Sequence, residues 1–318
     1  MTVNGYCSRN IPDPKVYADM MERRMTAKRS GDKPTANALK LVANTTYGAM
    51  LNQWNDLYDP LMGRSVCISG QLYLLELANH LSFQVPSLRI IQLNTDGIMV
   101  SFEDKDYPKV LAITEEWQLR TGFELEEDCI SEIVQKDVNN YIEVAIDGSV
   151  KIKGGVLVRG VPPAGAFKVN NNATIVAQAI VDYFVKNIPV ERTIRECKDI
   201  LAFQLIAKAS SKYAGAVHVV DRQYVPVQRC NRVYATKENR YGTLFLIERK
   251  GGYRKIAGLP DHCIIDNDNH LTMDSVDRDW YIDLAKRYVK DFLGIQPPKK
   301  NTRKINSLAK KSLLLLEE

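Results

Sequence analysis

Two short apolar runs rich in β-branched residues, 88–93 and 98–102, flank the polar stretch Asn94-Thr95-Asp96-Gly97. This pattern predicts a β-hairpin with Asp96 at its tip, held between two buried strands. Helical patterns lie on both sides of it. Asp13-Pro14 reads as an N-cap followed by Pro at the first helical position, opening a helix that runs to about Ser30. Gly31-Asp32-Lys33-Pro34 reverses the chain, and a second helix is predicted from Thr35 to about Thr46, which gives a helical hairpin with a charged face. A largely apolar helix over residues 64–85, with Leu72, Leu75, Leu77, Ala78 and Leu81, leads into the β-hairpin. After it, Asp106 and Pro108 open another helix that places Val110, Ile113 and Trp117 on one face and stops at Gly122.

Further along, strands are predicted at 130–134, 141–146 and 150–158, the last two joined by Asp147-Gly148. Asn172 reads as the cap of a helix bearing Ile175, Ala179 and Phe184, and another helix is predicted from Glu191 to about Leu201. Residues 208–215 combine basic and aromatic side chains, and a more irregular region follows. Within it, Asp266-Asn267-Asp268-Asn269 is read as a turn between apolar runs and not as a metal site. A last helix runs from Asp279 to Phe292, closed by Gly294 and Pro297-Pro298. The first ten residues carry no helix start and read as extended. The fold class expected is α+β, a mixed or antiparallel sheet with helices packed beside it.

The 318 residues, 45% of them hydrophobic, can bury a sizeable core divided among two or three domains. Six cysteines without paired spacing read as reduced thiols, and four histidines complete no zinc set. With no signal peptide and no apolar stretch long enough to cross a membrane, a cytoplasmic protein is expected. The net charge of +5 is unevenly spread. Residues 15–40 hold seven Lys/Arg against three Asp/Glu, and residues 286–311 hold nine against Asp291 alone. Residues 103–137 hold eleven acids against four bases. Basic ends around an acidic middle suggest a polyanion gripped at two places.

Two sets of residues carry candidate chemistry. A carboxylate on a rigid hairpin tip, such as Asp96, can hold a hard divalent cation. An EF-hand reading of the same stretch fails, because Gln92 stands where an Asp is needed and the flanks have strand character. On the helical hairpin, Arg24 and Lys28 lie four apart, and Lys40, Asn44 and Tyr47 follow at steps of four and three, each set on one face. If the arms pack antiparallel, three cations converge on one locus suited to a triphosphate.

Three stretches, in this order, resemble the family B DNA polymerases, particularly those of bacterial viruses. Lys40-Leu41-Val42-Ala43-Asn44-Thr45-Thr46-Tyr47-Gly48 is similar to the fingers signature K-x-x-x-N-S-x-Y-G, with Thr45 in the Ser position. Asn94-Thr95-Asp96-Gly97 resembles the palm signature D-T-D-S, and Lys212-Tyr213 resembles the K-x-Y/K-K-R-Y element at the start of the thumb. The resemblance implies two-metal phosphoryl transfer from a dNTP to a primer 3′ end. It implies Asp96 as ligand to the catalytic Mg²⁺ ions, Lys40 on the triphosphate, and Arg24 and Lys28 on its outer phosphates. Asn44 and Tyr47 would line the nascent base pair. Lys208, Lys212, Tyr213, Asn231 and Arg232 would hold primer-template DNA by backbone and minor-groove contacts. The implied domains are a palm strand remnant at 1–10, a fingers hairpin at 11–50, a palm at 51–207 containing the catalytic hairpin, and a mainly helical thumb with a basic tail at 208–318.

Departures accompany the likeness. Asn94 replaces the first acid of the palm pair, Gly97 replaces the Ser, and no D-x-x-S-L-Y-P-S stretch with the family's other metal-binding Asp is present. The expectation is therefore the carboxyl-terminal portion of such a polymerase. It would be inactive alone, and its Mg²⁺ site would be completed by an acid of an amino-terminal portion that also carries the exonuclease. The competing reading is a non-catalytic primer-template-binding module. A membrane-surface protein using its basic tail is weaker, for want of a suitable amphipathic helix.

Overall fold

The computed structural model describes residue 1 and residues 4–157 and 173–295. The chain forms two compact units, Met1–Glu127 and Asp128–Glu318.

The first unit opens with turns around Gly5 and Asn10 rather than a strand. Helices α1 (Lys15–Arg29) and α2 (Lys33–Leu51) follow as the expected hairpin. Their connection works because Gly31 adopts φ +78, which costs glycine no side-chain clash. The Asp32 carboxylate then accepts the Thr35 N–H at 3.1 Å, so α2 starts earlier than the pattern predicts. Little of this hairpin is buried: only Ala27 in α1, and Ala43 and Met50 in α2. Helix α3 (Pro60–Gln84) is capped by Asp59, whose carboxylate accepts the Met62 N–H. Leu77, Ala78 and Leu81 face the core, whereas Leu72 and Leu75 are exposed.

Strands β1 (Arg89–Leu93) and β2 (Ile98–Ser101) form the predicted hairpin, antiparallel with Leu93 opposite Ile98 and a bulge between Ile90 and Gln92. It is a two-stranded sheet on its own, and its strands are not buried as expected: Ile90, Ile91 and Leu93 are all exposed. One side only is covered, where Leu88, Ile98 and Phe102 pack on Leu77, Leu81 and Val85 of the core. Helix α4 (Tyr107–Thr121) contributes Val110, Ile113 and Trp117 to the same core and ends at Gly122 with φ +72, as its sequence predicts. The Trp117 indole N–H donates to the Tyr73 carbonyl at 3.2 Å.

The amino-terminal segment is fastened to the start of α3 by Arg9, which donates its backbone N–H and two guanidinium N–H groups to the buried Asp59 carboxylate at 3.1, 2.8 and 2.9 Å. These bonds hold the Asp59 carboxyl well below the usual carboxylate range. Since the folded form keeps this group ionised at pH values where the unfolded chain protonates it, the pair's stabilisation is complete at neutral pH. It is lost as pH falls below about 4. Thermal melts across pH 2–7 should show a steep acid loss that is shallower in Arg9→Leu; identical pH dependence in the two proteins would refute the assignment.

The second unit contains three antiparallel sheets. Strands β3 (Ile130–Asp137), β4 (Asn140–Ala145) and β5 (Val150–Lys153) form a meander. Two helices follow, α5 (Thr174–Lys186) and α6 (Val190–Glu196). The predicted cap Asn172 lies outside the described residues. The predicted helix from Glu191 to Leu201 is broken at Cys197, and Asp199 caps a separate short 3₁₀ turn at Ile200–Phe203. Strand β6 (Leu205–Lys208) then begins the largest correction to the sequence reading. β7 (Gly215–Val220), β8 (Gln223–Val227), β9 (Cys230–Ala235), β10 (Tyr241–Ile247), β11 (Tyr253–Lys255) and β12 (Cys263–Ile265) precede a single helix, α7 (Arg278–Phe292).

The segment expected to be a mainly helical thumb thus carries more strand than helix among the described residues. Its sheets run β12-β9-β6 and β11-β10-β7-β8. Every strand pairing among the described residues is antiparallel, so the fold is α+β as expected, with the antiparallel form of the expected mixed or antiparallel sheet. α5, α6 and α7 pack with these strands around Ile180, Ile194, Phe203, Val233 and Tyr281. The buried Tyr281 hydroxyl accepts the Ala235 N–H at 3.0 Å.

Candidate functional site

Tyr17, Met21 and Arg24 fall at steps of four and three along α1, and Lys40, Asn44 and Tyr47 at the same steps along α2. Each set occupies one helix face. The helices bring the two faces together around a cavity of about 280 Å³, lined by all six residues and closed on the α3 side by Val66. This is close to the smallest ligand sites, about 300 Å³.

The electrostatics are one-sided. Arg24 and Lys40 are its charged side chains, and no carboxylate is among the lining residues. Arg24 Nε is buried without a hydrogen-bond partner. A buried cationic donor without a partner is costly unless something accepts its proton, so an anion is the natural occupant. The Tyr17 phenol is pushed up chiefly by burial and by Cys7, with Arg24 opposing. The Tyr47 hydroxyl lies 2.7 Å from Cys67 Sγ. That bond, followed by burial, pushes the Tyr47 phenol up and fixes its ring at the cavity wall.

Of the five fingers residues singled out in the sequence, four line this cavity: Arg24, Lys40, Asn44 and Tyr47. Lys28 does not, because its ammonium pairs with Glu126. Two cations rather than three therefore converge. Tyr17, Met21 and Cys67 escaped the sequence reading, although Tyr17 and Met21 carry the same spacing signal relative to Arg24.

Asp96 sits exposed at the tip of the β1–β2 hairpin and is not among the cavity residues. The Asn94 N–H donates to the Gly97 carbonyl at 3.0 Å, which leaves Thr95 and Asp96 as the two central turn residues. The Asn94 side-chain oxygen accepts the Asp96 N–H at 3.2 Å. The residue that departs from the polymerase signature is therefore occupied in shaping the turn. As a site for Mg²⁺, the hairpin provides one free carboxylate. Among the described residues no group of three His, Cys, Asp or Glu side chains stands together.

In the second unit, Lys208 is exposed at the end of β6, and Lys212 and Tyr213 lie in the turn before β7. The Lys212 ammonium is 5.0 Å from the Tyr213 ring centre. Two arginines the sequence reading passed over build this turn. Arg229 donates to the carbonyls of Ser210, Tyr213 and Ala214, and Arg249 to that of Ser211. The β6–β9 pairing sets Ile206 opposite Arg232 and Lys208 opposite Cys230, so Lys208 and Arg232 share one strand pair.

Asn231 is spent inside the fold. It is buried, it donates to the Gln228 carbonyl at 2.6 Å, and it accepts from Asn267. The 266–269 loop is the turn expected: Asp266 accepts the N–H groups of His270 and Leu271 at 3.0 Å each. Arg232 binds this loop through Asn267 and Asn269. Among the described residues no helix is long and apolar enough to cross a membrane. No protein-family model matches the chain, and no curated protein sequence does.

Proposed function

We propose that the chain is the carboxyl-terminal portion of a DNA-directed DNA polymerase of the family B kind. The α1–α2 cavity would take the triphosphate of an incoming dNTP, and the basic turn at Lys208, Lys212 and Tyr213 would hold primer-template DNA. The observation that carries this reading is the meeting of Arg24, Lys40, Asn44 and Tyr47 around one acid-free cavity. Those positions include Lys40, Asn44 and Tyr47 of the fingers signature, and a guanidinium with an unpartnered Nε beside an ammonium is what a polyphosphate needs. In this reading Asp96 is one ligand of the catalytic Mg²⁺ ions, and the second acid comes from a separate amino-terminal portion of the enzyme.

Equilibrium binding of a labelled dNTP to the chain tests the cavity. Binding should follow the phosphates, so that the triphosphate binds and the nucleoside does not. Arg24→Ala should weaken it by roughly tenfold or more, as expected for losing a hydrogen bond to a charged group. If Arg24→Ala and Lys40→Ala left dNTP binding unchanged and weakened DNA binding instead, the helical hairpin would be a DNA clamp. The non-catalytic module would then be the better reading.

A further inference from the structure

The register of the β11-β10-β7-β8 sheet sorts its side chains into two faces. Val217 pairs with Phe245, Ile247 with Tyr253 and Val219 with Tyr224. Because side chains alternate along each strand, these six share one face. The other face carries Ala216, His218, Leu244 and Leu246, all buried. On the first face Val217 is buried, but Tyr224 is 49% and Tyr253 54% exposed. Their rings stack on each other, centroids 4.5 Å apart and planes within 10°, with Phe245 5.8 Å from Tyr224. Exposed aromatic rings already arranged as a column present flat π surfaces to water.

The charge around this column narrows the occupant. Residues 205–265 hold eleven Lys/Arg against four acids (Asp221, Glu238, Glu248, Asp261), a surplus of seven where the whole chain carries +5. Arg222 lies in the β7–β8 turn two residues before Tyr224, and Lys250 lies between β10 and β11 three residues before Tyr253. Neither is paired with a carboxylate among the described residues. A second copy of the chain would bring the same positive surface against itself, and protein interface cores are depleted in lysine. Rings that stack, flanked by free cations, suit a ligand that alternates flat bases with phosphates.

We infer that the first face of this sheet binds single-stranded nucleic acid, with Tyr224 and Tyr253 stacking bases and Arg222 and Lys250 holding the adjoining phosphates. The inference does not rest on the polymerase reading, since it uses neither the α1–α2 cavity nor Asp96.

Fluorescence anisotropy of the full chain with labelled oligo-dT provides the test, against an abasic oligomer of equal length and charge. The dT oligomer should bind about tenfold or more tighter than the abasic one, within the range measured for base–aromatic stacking. Tyr224→Ala and Tyr253→Ala should each cost roughly tenfold in dT binding and leave abasic binding unchanged, while the double Tyr→Phe variant keeps it. Equal affinity for the dT and abasic oligomers would overturn the inference without any variant. So would alanine variants with native melting curves and undiminished dT binding, or a dimer in sedimentation that buries Tyr224. Loss of dT binding with dNTP binding intact separates this site from the proposed nucleotide site.

Discussion

Asp96→Ala is expected to abolish nucleotide addition by the polymerase proposed above, once completed with its second acid, while leaving primer-template binding intact. The isolated chain should bind primer-template DNA with a strong salt dependence and add no nucleotides, because two Mg²⁺ ions about 4 Å apart need bridging acids besides the substrate phosphates. The hairpin supplies one carboxylate, and Asn94 is committed to the turn. Extension should appear when a polypeptide carrying the missing D-x-x-S-L-Y-P-S acid is added in trans, and should vanish again with Asp96→Ala. The substitution removes little else. Asp96 is exposed, and its one hydrogen bond in the turn is made by its backbone N–H, so melting temperature should hold. Asp96-dependent extension by the 318-residue chain alone would sink this account, since another acid of the same chain would then complete the site.

The second large effect belongs to Lys40. Lys40→Ala should lower kcat/KM for dNTP by roughly 10²-fold, the order lost with other groups that stabilise transition-state charge. Its ammonium lines the cavity on the α2 face with Asn44 and Tyr47, and no carboxylate there competes for it. Affinity for primer-template DNA should be nearly unchanged, because the DNA contacts proposed for Lys208 and Lys212 lie in the other unit. Steady-state kinetics on the completed enzyme, alongside DNA binding, separates the two. A loss confined to DNA binding would move Lys40 out of the nucleotide site.

Where local chemistry decides an element, the sequence announced it. Gly122 stops α4, and the Asp147-Gly148 turn joins β4 to β5. The four cavity residues were also legible, because helix faces follow from spacing alone. What was missed depends on partners remote in the chain. The ion pair that draws Lys28 away joins residues 98 apart. The burial of Asn231 is set by Asn267 on another loop. The β7–β8 hairpin was read as irregular because its turn puts Asp221 and Arg222 at positive φ, a conformation usually announced by Asn-Gly or Gly-Gly. Pro226 in β8 argued further against a strand, and is tolerated because β8 is the edge of its sheet.

The helical hairpin has one further property, mechanical in kind. Its root is apolar: Met50 is fully buried near the end of α2, and Leu51 packs on Gly63 of α3. Its far end, the last turn of α1, is tied to residues 124–126 by the Lys28–Glu126 and Arg29–Glu124 pairs, all four side chains well exposed. Such pairs are weak and are screened further by salt. The outer attachment is therefore the salt-sensitive one, and raising the ionic strength should loosen the far end before the root. On the proposed reading, a polyphosphate beside Arg24 would lie one helical turn from Lys28 and would weaken its pair with Glu126.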